Sequence, residues 1–351
     1  MKVLHLLPHA RALGGTERTV MDLMAAPALA HVEQRVAFVQ PGRVHGFASS
    51  QVLGARTGRL LPGGSLPAIL RWRPDVVHGW LLQGNLLGAA VKPLLAGSVL
   101  ICSERHSHEG LGLVRGLLER FVARAEDVAT GNSRAVRDAI LGRLPGRAEH
   151  FRIILPGVAA PAATPPPRPT TAVMIGRSHP VKDHLTALRT WRRVVDRHPS
   201  ATLTIVGGGS GLPALQHAAR QLGLATAVQF RGEADAAADL AGARIFLSTS
   251  QAEGFSRAVV EALAAGVPVV STDVGGIDEI RGPAVRVAAI GDDVTLAAHV
   301  LDLLENPETL AAAARSALVV AEMFTPTVCH QAYAQLYAEV LALDLDYRGP
   351  T

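Results

Sequence analysis

The sequence predicts an α/β chain made of two doubly wound units, each a parallel sheet wrapped by helices. Three observations carry that reading. A chain of 351 residues is too long for one ordinary domain and suits two, each large enough for its own core. Short apolar runs alternate with helical stretches through both halves, the signature of parallel strands joined by crossovers. Between the halves, residues 156–171 hold six prolines in sixteen positions, too many for a helix or a central strand.

The elements follow in order. Residues 2–7 read as a buried strand, and 16–30 as a helix with Val20, Leu23 and Met24 on its inner face. Further strands are expected at 35–39, 75–78, 99–102 and 127–130. After the proline-rich linker the pattern restarts, with strands at 172–175, 202–206, 228–231, 245–248 and 267–270 and helices at 293–305 and 326–343. The expected division is therefore 1–160, a linker over 156–171, and 172–325. Ligands of such sheets bind beyond the carboxyl ends of the strands, where both halves carry glycine-rich loops.

Composition narrows the class. The chain is 48% hydrophobic but only 4% aromatic, so alanine, leucine and valine must fill its interior. No apolar run reaches the ~18 residues that span a bilayer, and the chain enters a strand pattern at once without a signal peptide. The expectation is a cytoplasmic protein, or one at the inner face of the cell membrane. Cys102 and Cys329 are too few for a disulfide framework or a cysteine metal site and read as buried small residues. Residues 1–160 carry 19 Lys/Arg against 11 Asp/Glu, a balance of +8, while 161–351 carry 15 against 19, a balance of −4. A basic first half attracts anionic headgroups or a phosphate-bearing acceptor. Nucleic acid is not expected, because neither a recognised motif nor aromatic interleaving accompanies the charge.

The chemistry concentrates in two segments. Glu253 and Glu261 stand eight positions apart around a helix start: Ser256 is an N-cap residue, 257–265 reads as a helix, and Gly266 with Pro268 stops it. Glu253 then lies in the loop before the helix and Glu261 about one turn inside it. Among apolar Val259, Val260, Ala262 and Leu263, an unpaired carboxylate at 261 would be costly, so a hydroxyl partner is expected. Upstream, Arg177 and Lys182 follow a strand that ends near Ile175. Lys182 is one of only three lysines against thirty-one arginines, so it does not belong to a lysine-rich surface. A compact ammonium meets a phosphate oxygen as a point charge. Two carboxylates for hydroxyls and two cations for phosphates suit a sugar nucleotide.

These segments resemble the signature of the retaining, nucleotide-sugar-dependent glycosyltransferases of GT-B fold, the group 1 type of glycosyltransferase family 4, with its Glu-x7-Glu motif and Gly-Arg-x4-Lys loop. Gly14-Gly15-Thr16-Glu17-Arg18 matches that family's Gly-Gly-x-Glu-Arg loop, and the similarity covers nearly the whole chain. The resemblance implies two Rossmann-like domains facing a deep cleft, an acceptor-binding first domain, a donor-binding second, and a last helix crossing back onto the first. It places Arg177 and Lys182 on the diphosphate, Glu261 on the ribose and Glu253 against the donor sugar. The N–H groups of Gly254, Phe255 and Ser256 would help to hold that sugar or its phosphate. Arg231 and Gly232 match a loop that contacts the nucleobase, and a plain turn is the competing account. Gly14 and Gly15 permit close backbone approach to the donor, or merely start a helix. His106 or His108 corresponds to a histidine that touches the donor sugar, His106 being preferred. The family's Pro-Asn-Gly-Val is here Leu155-Pro156-Gly157-Val158, so the resemblance does not carry donor contacts over to this loop.

Three other features have plainer readings. Asp344-Leu345-Asp346 lies in a tail away from any strand end, and Gly207-Gly208-Gly209-Ser210-Gly211 lacks the last glycine of a dinucleotide fingerprint. No metal-ligand spacing appears, so neither metal nor cofactor is expected. Residues 112–125 set Leu113, Leu117, Phe121 and Val122 beside Arg115, Arg120 and Arg124, as in a helix packed on its own sheet or one lying on a membrane surface.

The function these readings imply is retaining transfer of a hexose-type unit from a nucleoside diphosphate sugar to a hydroxyl of a saccharide or lipid-linked acceptor, in bacterial surface polysaccharide or glycolipid synthesis. A sugar-nucleotide 2-epimerase and a non-catalytic sugar-nucleotide-binding protein are the alternatives.

Overall fold

The computed structural model describes residues 1–9, 14–40, 46–53, 65–106, 112–160 and 170–348. Its contacts divide the chain into two units, Met1–Gly157 with Pro326–Thr351, and Val158–Thr325.

The first unit runs β1 (Lys2–His9), α1 (Gly15–Met24), β2 (Glu33–Gln40), α2 (Ser65–Trp72), β3 (Val76–Trp80), α3 (Leu81–Val91), β4 (Val99–Glu104), α4 (Leu113–Ala125), β5 (Val128–Gly131), α5 (Arg134–Leu141) and β6 (Phe151–Ile153). The strands lie in the order β2-β1-β3-β4-β5-β6, every described pair parallel. Continuous burial of β3 and β4 follows from helices on both faces. The second unit runs β7 (Thr170–Ile175), α6 (His184–Arg197), β8 (Leu203–Val206), α7 (Leu212–Gln221), β9 (Val228–Gly232), α8 (Ala237–Ala241), β10 (Ala243–Ser248), α9 (Arg257–Ala264), β11 (Val269–Thr272), β12 (Val285–Ala288), α10 (Asp293–Glu305) and α11 (Pro307–Ala321). Its parallel order is β12-β11-β10-β7-β8-β9, so the chain reverses its direction of growth between β7 and β10. That is the topological switch point, where loops diverge and leave a crevice.

The last helix, α12 (Pro326–Arg348), belongs to the first unit. Tyr337 Oη bonds the buried His78 Nδ1 at 2.8 Å, and Arg105 donates to Tyr333 Oη at 3.0 Å while stacking over Trp80. Burial pushes Tyr333 up to about 12 and His5 down to about 4, so at neutral pH this aromatic cluster holds neutral rings. A Cβ on Gly157 would lie 2.6 Å from Cys329 Cβ, so α12 packs directly on that backbone. Cys102 and Cys329 are both buried free thiols.

Several sequence expectations need correction. Strand β7 already begins at Thr170, inside the expected linker, and residues 161–169 of that linker lie outside the described residues. Asp344 and Asp346 belong to α12 rather than to a tail. Strands β6 and β12 were not foreseen: one has three residues, the other is an edge strand of four.

Helix α4 departs most from the packed reading. Of its apolar positions Val122 is buried, but Leu113, Val114, Leu117, Leu118 and Phe121 are exposed. What turns inward is Glu119, 5% exposed, which accepts from Arg115 Nε at 3.4 Å and Arg143 Nε at 3.2 Å. Just past the helix, Glu126 pairs with the buried Arg147. The inward face of α4 is thus the one that carries Glu119 and Val122, and stranding that buried carboxylate from its partners would cost ~3–5 kcal/mol.

Candidate donor site at the second unit's switch point

Neighbouring strands β7 and β10 deliver the two motif segments to one place. Beyond β7 the chain passes Gly176 and Arg177 and makes one short turn, Pro180–Lys182, before α6. Asp183 takes φ +43°, a left-handed conformation that aspartate tolerates better than most residues. From there it caps α6, accepting from Thr186 N at 3.2 Å and Thr186 Oγ1 at 2.7 Å. Beyond β10, Thr249 Oγ1 donates to the carbonyls of Lys182 at 3.0 Å and Asp183 at 2.9 Å, and Gln251 N donates to Val181 O at 2.7 Å. These bonds stitch the two loops together.

Within the stitched loops Lys182 Nζ forms an ion pair with Glu253, their side chains 23% and 12% exposed. Ser250 Oγ donates to the same Glu253 oxygen at 3.0 Å. Four residues into α9, Glu261 accepts from Arg257 Nε at 3.1 Å. Glu261 is half-buried, and Arg257 is an intramolecular partner for it that the sequence reading did not name beside the expected hydroxyl. Arg177 is exposed and has no side-chain partner among the described residues. The two loops and the start of α9 thus carry Arg177, Lys182 and Arg257 against Glu253 and Glu261, a net charge of +1.

Two glycines make the arrangement possible. Gly207 has φ +149°, and a Cβ there would sit 2.0 Å from Gly176 O; Ser178 N also donates to Gly208 O at 2.8 Å. The glycine run that fails as a dinucleotide fingerprint is therefore the bed on which the Arg177 loop lies. Gly275 has φ +58°, and its Cβ would meet the carbonyl oxygens of Glu253 and Gly254 at 2.4 Å each. With Gly276 N donating to Gly254 O at 2.8 Å, the 275–276 turn props the Glu253 loop from behind.

The other predicted residues fall as follows. Gly254, Phe255 and Ser256 lead into α9; Phe255 is buried and stacks on Phe324, ring centroids 4.9 Å apart. Ser256 occupies the N-cap position, but its side chain makes no cap hydrogen bond. Arg231 bonds Asp239 Oδ1 at 3.3 Å, and Gly232, φ +65°, opens onto free space. Gly14, Gly15 and His106 belong to the first unit. Gly14 N donates to Glu17 Oε2 at 3.0 Å, so the glycine pair begins a helix capped by the buried Glu17. His106 is exposed just past β4, and His108 lies outside the described residues.

Sequence reasoning missed Arg257, Ser250 and His184. Arg257 could have been read from its i,i+4 spacing to Glu261. His184 opens α6 beneath the Lys182 turn; burial lowers its pKa, with the Gly176 backbone bond opposing and the Lys182 charge adding to the drop. It therefore stays neutral beside the cations. No cluster of three or more potential metal-binding side chains occurs among the described residues.

Two doubly wound parallel sheets joined in one chain, with a last helix returning to the first, constitute the GT-B architecture. HepE of Anabaena, in its crystal structure with UDP and glucose, superposes with a TM-score of 0.83 at 21% identity, over 97% of this chain and 100% of that one. Sucrose-phosphate synthase of Thermosynechococcus elongatus does so at 0.80 and 18% identity, over 98% of this chain and 100% of that one. A family model described as glycosyl transferases group 1 matches residues 169–306. The glycogen synthase of Mycobacterium tuberculosis is 32% identical over 295 residues, which cover 77% of this chain and 69% of that protein. The D-inositol 3-phosphate glycosyltransferase of Streptomyces coelicolor is 32% identical over 273 residues, 69% of this chain and 58% of that protein. The chain belongs to the group 1 glycosyl transferases.

Proposed function

We propose that the protein transfers a hexose-type sugar from a nucleoside diphosphate sugar to a hydroxyl of a saccharide or lipid-linked acceptor, with retention of configuration, at the inner face of a bacterial cell membrane. Surface polysaccharide or glycolipid synthesis is the process served. The observation that carries this reading is the Lys182–Glu253 pair at the switch point, with Arg177 on the same loop as the lysine. As the anomeric C–O bond breaks, negative charge grows on the departing diphosphate. Fixed cations placed there stabilise that charge without reorganising, each worth ~3–4 kcal/mol of barrier. Arg177 and Lys182 have this role, so no metal ion is required. Glu253 receives hydroxyls of the donor sugar and Glu261, steadied by Arg257, those of the ribose. Backbone donors of Gly254, Phe255 and Ser256 help to hold the sugar, and Arg231 and Gly232 meet the base. The acceptor oxygen attacks from the face the diphosphate leaves and passes its proton to that leaving group.

HepE is described with UDP and with UDP-glucose, which makes UDP-sugars the first probes. A thermal-shift screen across UDP-, GDP-, ADP- and TDP-sugars should find a donor that raises the melting temperature by mass action. Incubation of that donor with acceptors should then release the nucleoside diphosphate. A chain stabilised by no sugar nucleotide would overturn the proposal, and an epimer formed from donor alone would replace it with the 2-epimerase.

A further inference from the structure

We propose that helix α4 docks the protein onto an anionic lipid surface by inserting the face formed by Leu113, Val114, Leu117 and Phe121. This rests on the reading above only in placing the enzyme beside a membrane, since nothing in the donor site requires α4.

The helix is built opposite to an ordinary covering helix. At about 100° per residue, Leu113, Leu117, Phe121, Val114 and Leu118 fall within an arc of about 140°. Their exposures are 82%, 57%, 47%, 72% and 37%. Scattered exposed leucines need no explanation, but five large apolar side chains on one face of a single helix form a patch that marks an interaction surface. The opposite side of the helix is tied down, so this face is the one left outward. Glu119 is held by Arg115 and Arg143, Val122 fills a core position, and Glu126 pairs with Arg147 immediately after the last turn.

Charge decides the partner. The one acid of α4, Glu119, is buried, whereas Arg120 and Arg124 are exposed, Arg120 about 20° outside one edge of the apolar arc and Arg124 about 20° inside that edge, in the last turn. The exposed charge of the helix is therefore entirely positive, on a half of the chain whose balance is +8. Apolar side chains beside arginines that can reach upward to phosphates suit a headgroup boundary. An acidic protein groove would gain little from so wide a hydrocarbon face, and a second copy would bring arginines against arginines.

The test is co-sedimentation of the full chain with vesicles of phosphatidylcholine plus phosphatidylglycerol, against phosphatidylcholine alone. The expected result is binding to the anionic vesicles only, weakening with salt. Arg120→Gln and Arg124→Gln should each lower the partition coefficient about fivefold. Leu117→Ser combined with Phe121→Ser should abolish binding while leaving the melting temperature and turnover on a soluble acceptor unchanged, because both side chains already face solvent. In a Phe121→Trp variant, brominated lipid should quench the new tryptophan. Equal sedimentation of wild type and the double serine variant, or no binding to either vesicle, overturns the proposal. So does a wild-type dimer that the serine pair converts to monomer, which would assign the face to a second copy. Turnover without vesicle binding would refute the docking and leave the catalytic reading standing.

Discussion

Replacing Lys182 with alanine separates the two roles that the structure joins in one side chain. Its ammonium pairs with Glu253, and its stem lies across Gly176, where a Cβ would come within 3.3–3.4 Å of the lysine methylenes. In Lys182→Ala, Glu253, 12% exposed with the lysine in place, loses that cation and keeps Ser250 as donor. A mostly buried carboxylate losing its cation costs about 2 kcal/mol, or roughly 4–8 °C in melting temperature for a domain of this size. The double variant Lys182→Ala/Glu253→Gln should regain much of that, because it removes the stranded charge. Turnover should behave differently: kcat should fall by about 10²–10³, a loss of roughly 3–4 kcal/mol from the step in which the diphosphate departs, and the double variant should not recover it. The assay is nucleoside diphosphate release under saturating donor, run beside a melting curve for each variant. If kcat stays within about threefold of wild type while stability drops as stated, Lys182 is only a structural partner of Glu253 and its phosphate role is refuted.

Gly275→Ala should displace the Glu253 loop, because its Cβ would stand 2.4 Å from two carbonyl oxygens at a φ of +58°; a donor KM raised at least about tenfold is expected, and an unchanged KM would show that the turn does not support the site. Arg257→Gln removes the 3.1 Å bond to Glu261, so the nucleoside diphosphate should bind about 5- to 10-fold more weakly with little change in kcat, measured by calorimetric titration. Glu104 lies at the end of β4, where burial raises its pKa from 4.5 to about 7, with Arg147 opposing. The unfolded chain releases that proton first, so stability should fall as pH rises from 4.5 to about 7, by up to about 3 kcal/mol, and stay low above it. Urea midpoints across that range should decline for wild type and less for Glu104→Gln; parallel curves would sink the assignment.

How much was legible depends on how local each signal is. Ten of the twelve strands stand out as short apolar runs in the sequence, and both motif segments could be placed just past strand ends. Helix α10 begins and ends where its cap and periodicity put it, with Asp292 accepting from Thr295 N at 2.9 Å. The pairing of Lys182 with Glu253 was not legible, because 71 residues separate them and only adjacency of β7 and β10 brings their loops together. Ser256 shows the reverse limit: a good N-cap residue in the N-cap position that makes no cap bond. The buttressing of Gly207 against Gly176 and of Gly275 against Glu253 was hidden for the same reason, since a glycine's need for space is set by what approaches it.

By itself, then, the sequence determined the class of architecture, the existence of two units and the residue types of the donor site, because periodicity, punctuation and motif spacing act over a few residues. Only the tertiary structure decided which charges pair, which glycines are obligatory and which face of α4 looks outward. An amphipathic helix has two faces, and its pattern does not state which one is inside. Here the inward face is the one whose Glu119 bonds Arg143, a residue beyond the helix, while the leucines lie in water.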